Sequence, residues 1–97
     1  MITHVVVLKW NPEITDEHVE TVRLALMTLP AEISEIATYH CGPNVGPGEV
    51  NSDFAVVATF ASLDDWRVYD GHPAHQQVRS ELMVPWIAQR SVIQFES

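Results

Sequence analysis

Five histidines, two tyrosines and one cysteine supply most of the proton-transfer and nucleophilic capacity of this sequence. They are unevenly spread, and the segment Tyr69-Asp70-Gly71-His72-Pro73-Ala74-His75 places a phenol and two imidazoles close together along the chain. A neutral imidazole can take a proton from carbon next to a carbonyl, and a phenol can hold the oxygen on which negative charge then develops. Those two acts are what an aldol closure requires. His75 falls at the third position of a helix opening at Pro73, where the positive end of the helix dipole disfavours imidazolium and leaves the neutral form a base needs. The break at Gly71 would let the Tyr69 hydroxyl turn toward His75. On its residues alone the segment also has a second reading, in which His75 is a structural histidine bonded to loop carbonyls and Tyr69 an amphipathic core residue.

Other chemistries find less support. His72 and His75 are close in sequence, but Pro73 sets His72 outside the regular helix, and zinc wants three or four converging ligands. No metal site is expected, and His72 reads as a helix cap. His4, alone on an apolar strand face, reads as a satisfied core histidine, while His18 and His40 read as surface residues. Cys41 has no visible partner for nucleophilic catalysis. Glu13, Asp16, Glu17 and Glu20 form a solvated helix face and Asp64 and Asp65 a helix start, so no carboxylate pair suggests glycosidase chemistry. Trp10, Trp66 and Trp86 lie on separate elements, as core and interface anchors do.

The elements that must position these residues follow from periodicity and punctuation. Thr3 to Trp10 is a β-branched run closed by Asn11-Pro12, the first strand. Thr15 is an N-cap with Asp16 and Glu17 in the first turn, and Val19, Val22, Leu26 and Leu29 recur at helical spacing until Pro30. Glu35 to Cys41 is a weaker strand, and the Gly-, Pro- and Asn-rich stretch 42–51 a loop. Phe54 to Phe60 is a third strand. Ser62-Leu63-Asp64-Asp65 opens a helix through Trp66 and Tyr69 that stops near Gly71, and Pro73 restarts one with Val78 and Leu82 facing inward. Arg90 to Glu96 is the last strand. The order β-α-β-β-α-α-β predicts an α+β fold of ferredoxin-like plan, with a four-stranded antiparallel sheet and its second helix broken in two.

Composition limits the partners. With 97 residues and 46% apolar content, the chain suits a single domain over 1–97. Five basic residues against thirteen acidic ones give a net charge of −8, and Lys9, Arg23, Arg67, Arg79 and Arg90 form no cluster in sequence. Nucleic acid and anionic membranes are therefore poor partners. No apolar run approaches a membrane span and no secretory signal is visible, so a cytoplasmic location is expected. The strand faces then argue for a second copy. His4, Val6, Leu8 and Trp10 alternate with Val5, Val7 and Lys9, and Phe54, Val56, Ala58 and Phe60 with Ala55, Val57 and Thr59. Both faces are mostly apolar, yet the helices of this plan cover only one. A homodimer packed sheet to sheet is the economical answer.

The opening Ile-Thr-His-Val-Val-Val-Leu-Lys-Trp, the Phe-Ala-Val-Val-Ala-Thr-Phe strand and the Tyr-x-x-His-Pro-Ala-His segment together resemble the stress-responsive A/B barrel family, also called the dimeric α/β-barrel family, over nearly the whole chain. The resemblance implies a homodimer whose two sheets close into a barrel with helices outside. It further implies likeness to the family's plant cyclase, which closes a linear polyketide by intramolecular aldol condensation without a cofactor. On that likeness Tyr69 and His75 match the catalytic pair and His4 a pocket histidine. Pocket-lining positions would fall on Val6, Leu8, Val22, Leu26 and Val56, with Val22 and Leu26 replacing bulky aromatic residues. Three functions are compatible with these expectations: a cofactor-free cyclase or lyase acting on a polyketide-like substrate, a non-catalytic stress-associated protein binding small apolar molecules, and a cofactor-independent monooxygenase.

Overall fold

The computed structural model describes residues 1–97. Strand β1 (Ile2–Trp10) leads to helix α1 (Asp16–Met27), a short helix α2 (Leu29–Glu32) and strand β2 (Ile36–Pro43). Strand β3 (Phe54–Phe60) is followed by α3 (Leu63–Gly71) and α4 (Pro73–Val78), and strand β4 (Ile87–Glu96) ends the fold. All neighbours in the sheet are antiparallel and its order is β2-β3-β1-β4, the ferredoxin-like arrangement.

Local chemistry sets most of these boundaries. The Thr15 hydroxyl accepts from the His18 amide at 3.0 Å and starts α1, and the Ser62 hydroxyl accepts from the Asp65 amide at 3.2 Å and starts α3. At the third helix start the cap is an imidazole, His72 Nδ1 accepting from the Ala74 amide at 3.1 Å, directly before Pro73. The α1 helix ends at Met27, and Pro30 sits in the first turn of α2, where its missing N–H costs nothing. Strand β2 runs two residues further than expected, through Gly42 and Pro43, because it is an edge strand and a proline there removes no ladder bond.

One part of the fold departs further from the sequence expectation. After Val78 the chain makes a π-helical turn over Arg79–Met83 and a tight 3₁₀ turn over Val84–Trp86, and β4 begins at Ile87 rather than Arg90. The extra residue in a π turn leaves no mark in hydrophobic spacing, and such turns recur at functional sites. Trp10 pairs with Ile87 across a bulge, which draws this end of β4 toward the helices.

The core lies between the sheet and the helices. Leu8, Val22, Leu26, Leu29, Ile33, Phe54, Ala58 and Phe60 are almost wholly removed from solvent. On the other side of the sheet nothing covers the strands, and Ile93, Phe95 and Val57 are 57%, 46% and 36% exposed. Register puts Val5 opposite both Val57 and Ile93, so these side chains make one apolar strip across three strands. No helix is long and apolar enough to cross a membrane.

Candidate active site

A cavity of about 50 Å³, partly open to solvent, lies between the sheet and the α3–α4 segment. It has room for a few water molecules. Its walls include His4, Val6, Leu8, Leu26, Val56, Tyr69 and His75. Val22, expected with them, is fully buried in the core and does not line the cavity. Tyr39, Asp70, Arg79 and Arg90 line it too, together with Met83, Val84 and Ile87.

His75 is held from behind. Its Nδ1 lies 3.1 Å from the backbone carbonyl of Asp70, which also accepts from Gln76 Nε2 at 2.8 Å. A carbonyl oxygen can only accept, so Nδ1 carries the proton and Nε2 keeps its lone pair. The ring is 6% exposed, and burial is the leading cause that holds its pKa below the ordinary histidine value. Helix position alone had suggested a neutral ring, but desolvation, invisible in sequence, is the principal reason.

His4 has the complementary arrangement. Gln94 Nε2 donates to His4 Nδ1 at 2.8 Å, which puts the His4 proton on Nε2. Burial pushes its pKa down to about 4, so it too is neutral near pH 7. It is the satisfied histidine expected on an apolar face, and it also borders the cavity. Two neutral imidazoles therefore meet one cavity as opposite tautomers, His75 offering an acceptor and His4 a donor.

Tyr69 comes from the last turn of α3 and stacks on His75, with ring centroids 4.1 Å apart and planes inclined by 29°. Its hydroxyl does not bond His75 but lies 3.0 Å from the hydroxyl of Tyr39, which reaches it from β2. Burial is the first cause raising the Tyr69 pKa to about 12, with the Tyr39 bond opposing it, and burial raises Tyr39 further still. Both phenols are neutral donors at physiological pH.

Tyr39 carried no signal beyond an apolar place on a weak strand, since its partner is thirty positions away and is met only through the fold. Arg79 and Met83 reach the cavity from the π turn and Arg90 from β4, opposite Leu8. A second hollow, at the β2–β3 loop, is larger at about 310 Å³ and more open, but none of its lining side chains titrates. No cluster of His, Cys, Asp and Glu side chains has the convergence a metal site needs.

Comparison with known proteins follows the same lines. The stress responsive A/B barrel domain family model matches residues 2–97. A dimeric ferredoxin-like protein of unknown function from Thermobifida fusca YX is 38% identical, with 99% of this chain and 90% of that one covered and a TM-score of 0.91. A dimeric protein of ferredoxin-like fold from Bacteroides fragilis NCTC 9343 is 28% identical, covering 99% and 95% of the two chains at a TM-score of 0.86. The hydroxynitrile lyase of Passiflora edulis shares the fold at 16% identity, covering 97% and 90% with a TM-score of 0.84. No curated protein matches the sequence.

Proposed function

The chain belongs to the stress-responsive A/B barrel domain family, and from that premise we propose that it is a homodimeric, cofactor-free acid/base catalyst acting on a small enolisable carbonyl compound. His75 Nε2 is the base. It removes a proton from carbon next to a carbonyl, and the enolate oxygen accepts from the Tyr69 hydroxyl, with His4 Nε2–H as a second donor. Where the substrate carries another carbonyl, as polyketide-like chains do, the enolate carbon attacks it, a C–C bond forms, and the proton on His75 passes to the new alkoxide. The sum is an isomerisation, so atoms and electrons balance without a co-reactant.

The observation that carries this reading is the Asp70 carbonyl behind His75, which fixes the tautomer whose free nitrogen is basic. The dimeric relatives and the uncovered apolar sheet face support the two-copy assembly. A histidine serving only structure would need no accessible cavity beside its unbonded nitrogen. The test uses hexane-2,5-dione in D₂O, with deuterium uptake next to the carbonyls and closure to the isomeric hydroxycyclopentanone followed by NMR, together with the cyclopentenone that this aldol gives on loss of water. Uptake should exceed the buffer rate by roughly a hundredfold or more and disappear in His75→Ala with the fold intact. Uptake equal to buffer, or unchanged by His75→Ala, would overturn the assignment.

A further inference from the structure

We infer that the cavity selects an acidic substrate, a small apolar molecule whose carboxylate is held at the mouth by Arg90; this rests on the reading of the cavity as the substrate site. Charge distribution leads to it. The chain has only five basic residues and a net charge of −8, yet two of the five line this one cavity. The fold thus brings together a local positive potential in a protein that is otherwise acidic.

Arg90 is distinguished from every other arginine. Arg23 pairs with Glu20, Arg67 with Asp64, and Arg79 lies 3.8 Å from the Asp70 carboxylate, while no carboxylate lies within ion-pair distance of Arg90. Asp70 is the one acidic group on the cavity wall, and Arg79 offsets it. With His4 and His75 neutral, the lining keeps the unopposed charge of Arg90. That charge is felt at the buried end only weakly, since burial is the main cause lowering the pKa of His4 and His75 and Arg90 adds the smallest contribution in the same direction.

Its position is that of a gate contact. Arg90 stands opposite Leu8 in the sheet, on the helix side and not on the uncovered face where a second copy would pack. Arg90 is an exposed member of the cavity lining, whereas His4, Tyr69 and His75 are buried members. A planar guanidinium recognises a carboxylate through two parallel hydrogen bonds. A ligand so held would point its apolar part, and a carbonyl if it has one, inward past Val6, Leu8 and Val56 toward Tyr69 and His75.

Binding of 3-methylbutanoate and of the neutral isostere 3-methylbutanamide to the full chain tests this, with amide chemical shifts followed by NMR at pH 7 and low salt. The acid should bind roughly tenfold or more tightly than the amide. Arg90→Gln should abolish that preference, bringing the affinity for the acid down to that for the amide, and added salt should weaken the preference in the native protein. Equal binding of acid and amide, no binding of either, or a preference that survives in Arg90→Gln would overturn the inference. Because no turnover is read, the outcome is separable from the role of His75: His75→Ala should keep the acid preference even where deuterium uptake is lost.

Discussion

The hydroxyl of Tyr39 meets that of Tyr69 at 3.0 Å inside the fold, and this one bond links edge strand β2 to the end of α3. Either hydroxyl of the pair can be the donor, and when Tyr39 donates, the Tyr69 proton is free for another acceptor. Tyr39→Phe removes one partner of the bond and strands the buried Tyr69 hydroxyl. A loss of about 1 kcal/mol is expected, a fall in Tm of roughly 4–8 °C for a domain of this size. Deuterium uptake by the dione should fall without vanishing, because Tyr69 loses the partner that positions its hydroxyl and the base is untouched. An unchanged Tm together with unchanged uptake would remove Tyr39 from the site.

His4 makes folding stability depend on pH, and the sign follows from its lowered pKa. An unfolded histidine takes up its proton near pH 6.5, and the folded one only near pH 4. The unfolded state therefore binds more protons between those values, and stability is lost as pH falls through that window. Between pH 7 and pH 5 the loss from His4 is about 2 kcal/mol. Urea unfolding at the two pH values, at fixed protein concentration, measures it. His4→Leu should reduce the dependence between pH 7 and 5 and leave the part due to His75, even if its stability at pH 7 is lower for want of the Gln94 bond. An equal slope in the variant would mean that His4 is not held neutral.

The same desolvation predicts the acid limb of activity. A base works when unprotonated, and the pKa of His75 lies below the usual histidine value, chiefly through burial. Deuterium uptake should still exceed half its plateau at pH 6.5 and reach half only on further acidification. A profile already at half its plateau at pH 6.5 would assign the limb to an ordinary exposed histidine instead.

Local chemistry was legible in the sequence, and contacts made at a distance were not. Thr15, Ser62 and His72 cap their helices through amides two or three residues away, so short-range spacing located all three. The Tyr-x-x-His-Pro-Ala-His segment likewise marked Tyr69 and His75, and the two rings do stack. The direction of the Tyr69 hydroxyl was misjudged, because its partner arrives from β2 and not from the helix that follows. In segment 79–86 helical spacing from Val78 marked Leu82 alone, since a π turn and a 3₁₀ turn each shift the register of side chains, yet the segment delivers Arg79 and Met83 to the cavity. Arg79 and Arg90 looked scattered along the chain and converge only when β4 pairs with β1.

The uncovered sheet face yields the last prediction, which concerns assembly. Val5, Val57 and Ile93 sit side by side on the three strands β1, β3 and β4, and Phe95 extends the strip along β4. Water against such a strip is costly at about 25 cal/mol per Å² of apolar surface, and a second copy related by two-fold symmetry would cover it with the same residues. Ile93→Glu places a carboxylate at the centre of that contact, where burial would leave it unpaired and close to its symmetry mate. Sedimentation at micromolar concentration should show a dimer for the native chain and a monomer for Ile93→Glu. Val68→Glu, on the exposed side of α3, adds the same charge away from the sheet and should remain dimeric. Were the native chain to sediment as one stable subunit, or Ile93→Glu to stay a dimer, the partner copy would have to be placed elsewhere or given up. Because His4 and His75 lie on the helix side, the cavity should still bind ligand in an Ile93→Glu monomer that remains folded, which separates assembly from chemistry in one variant.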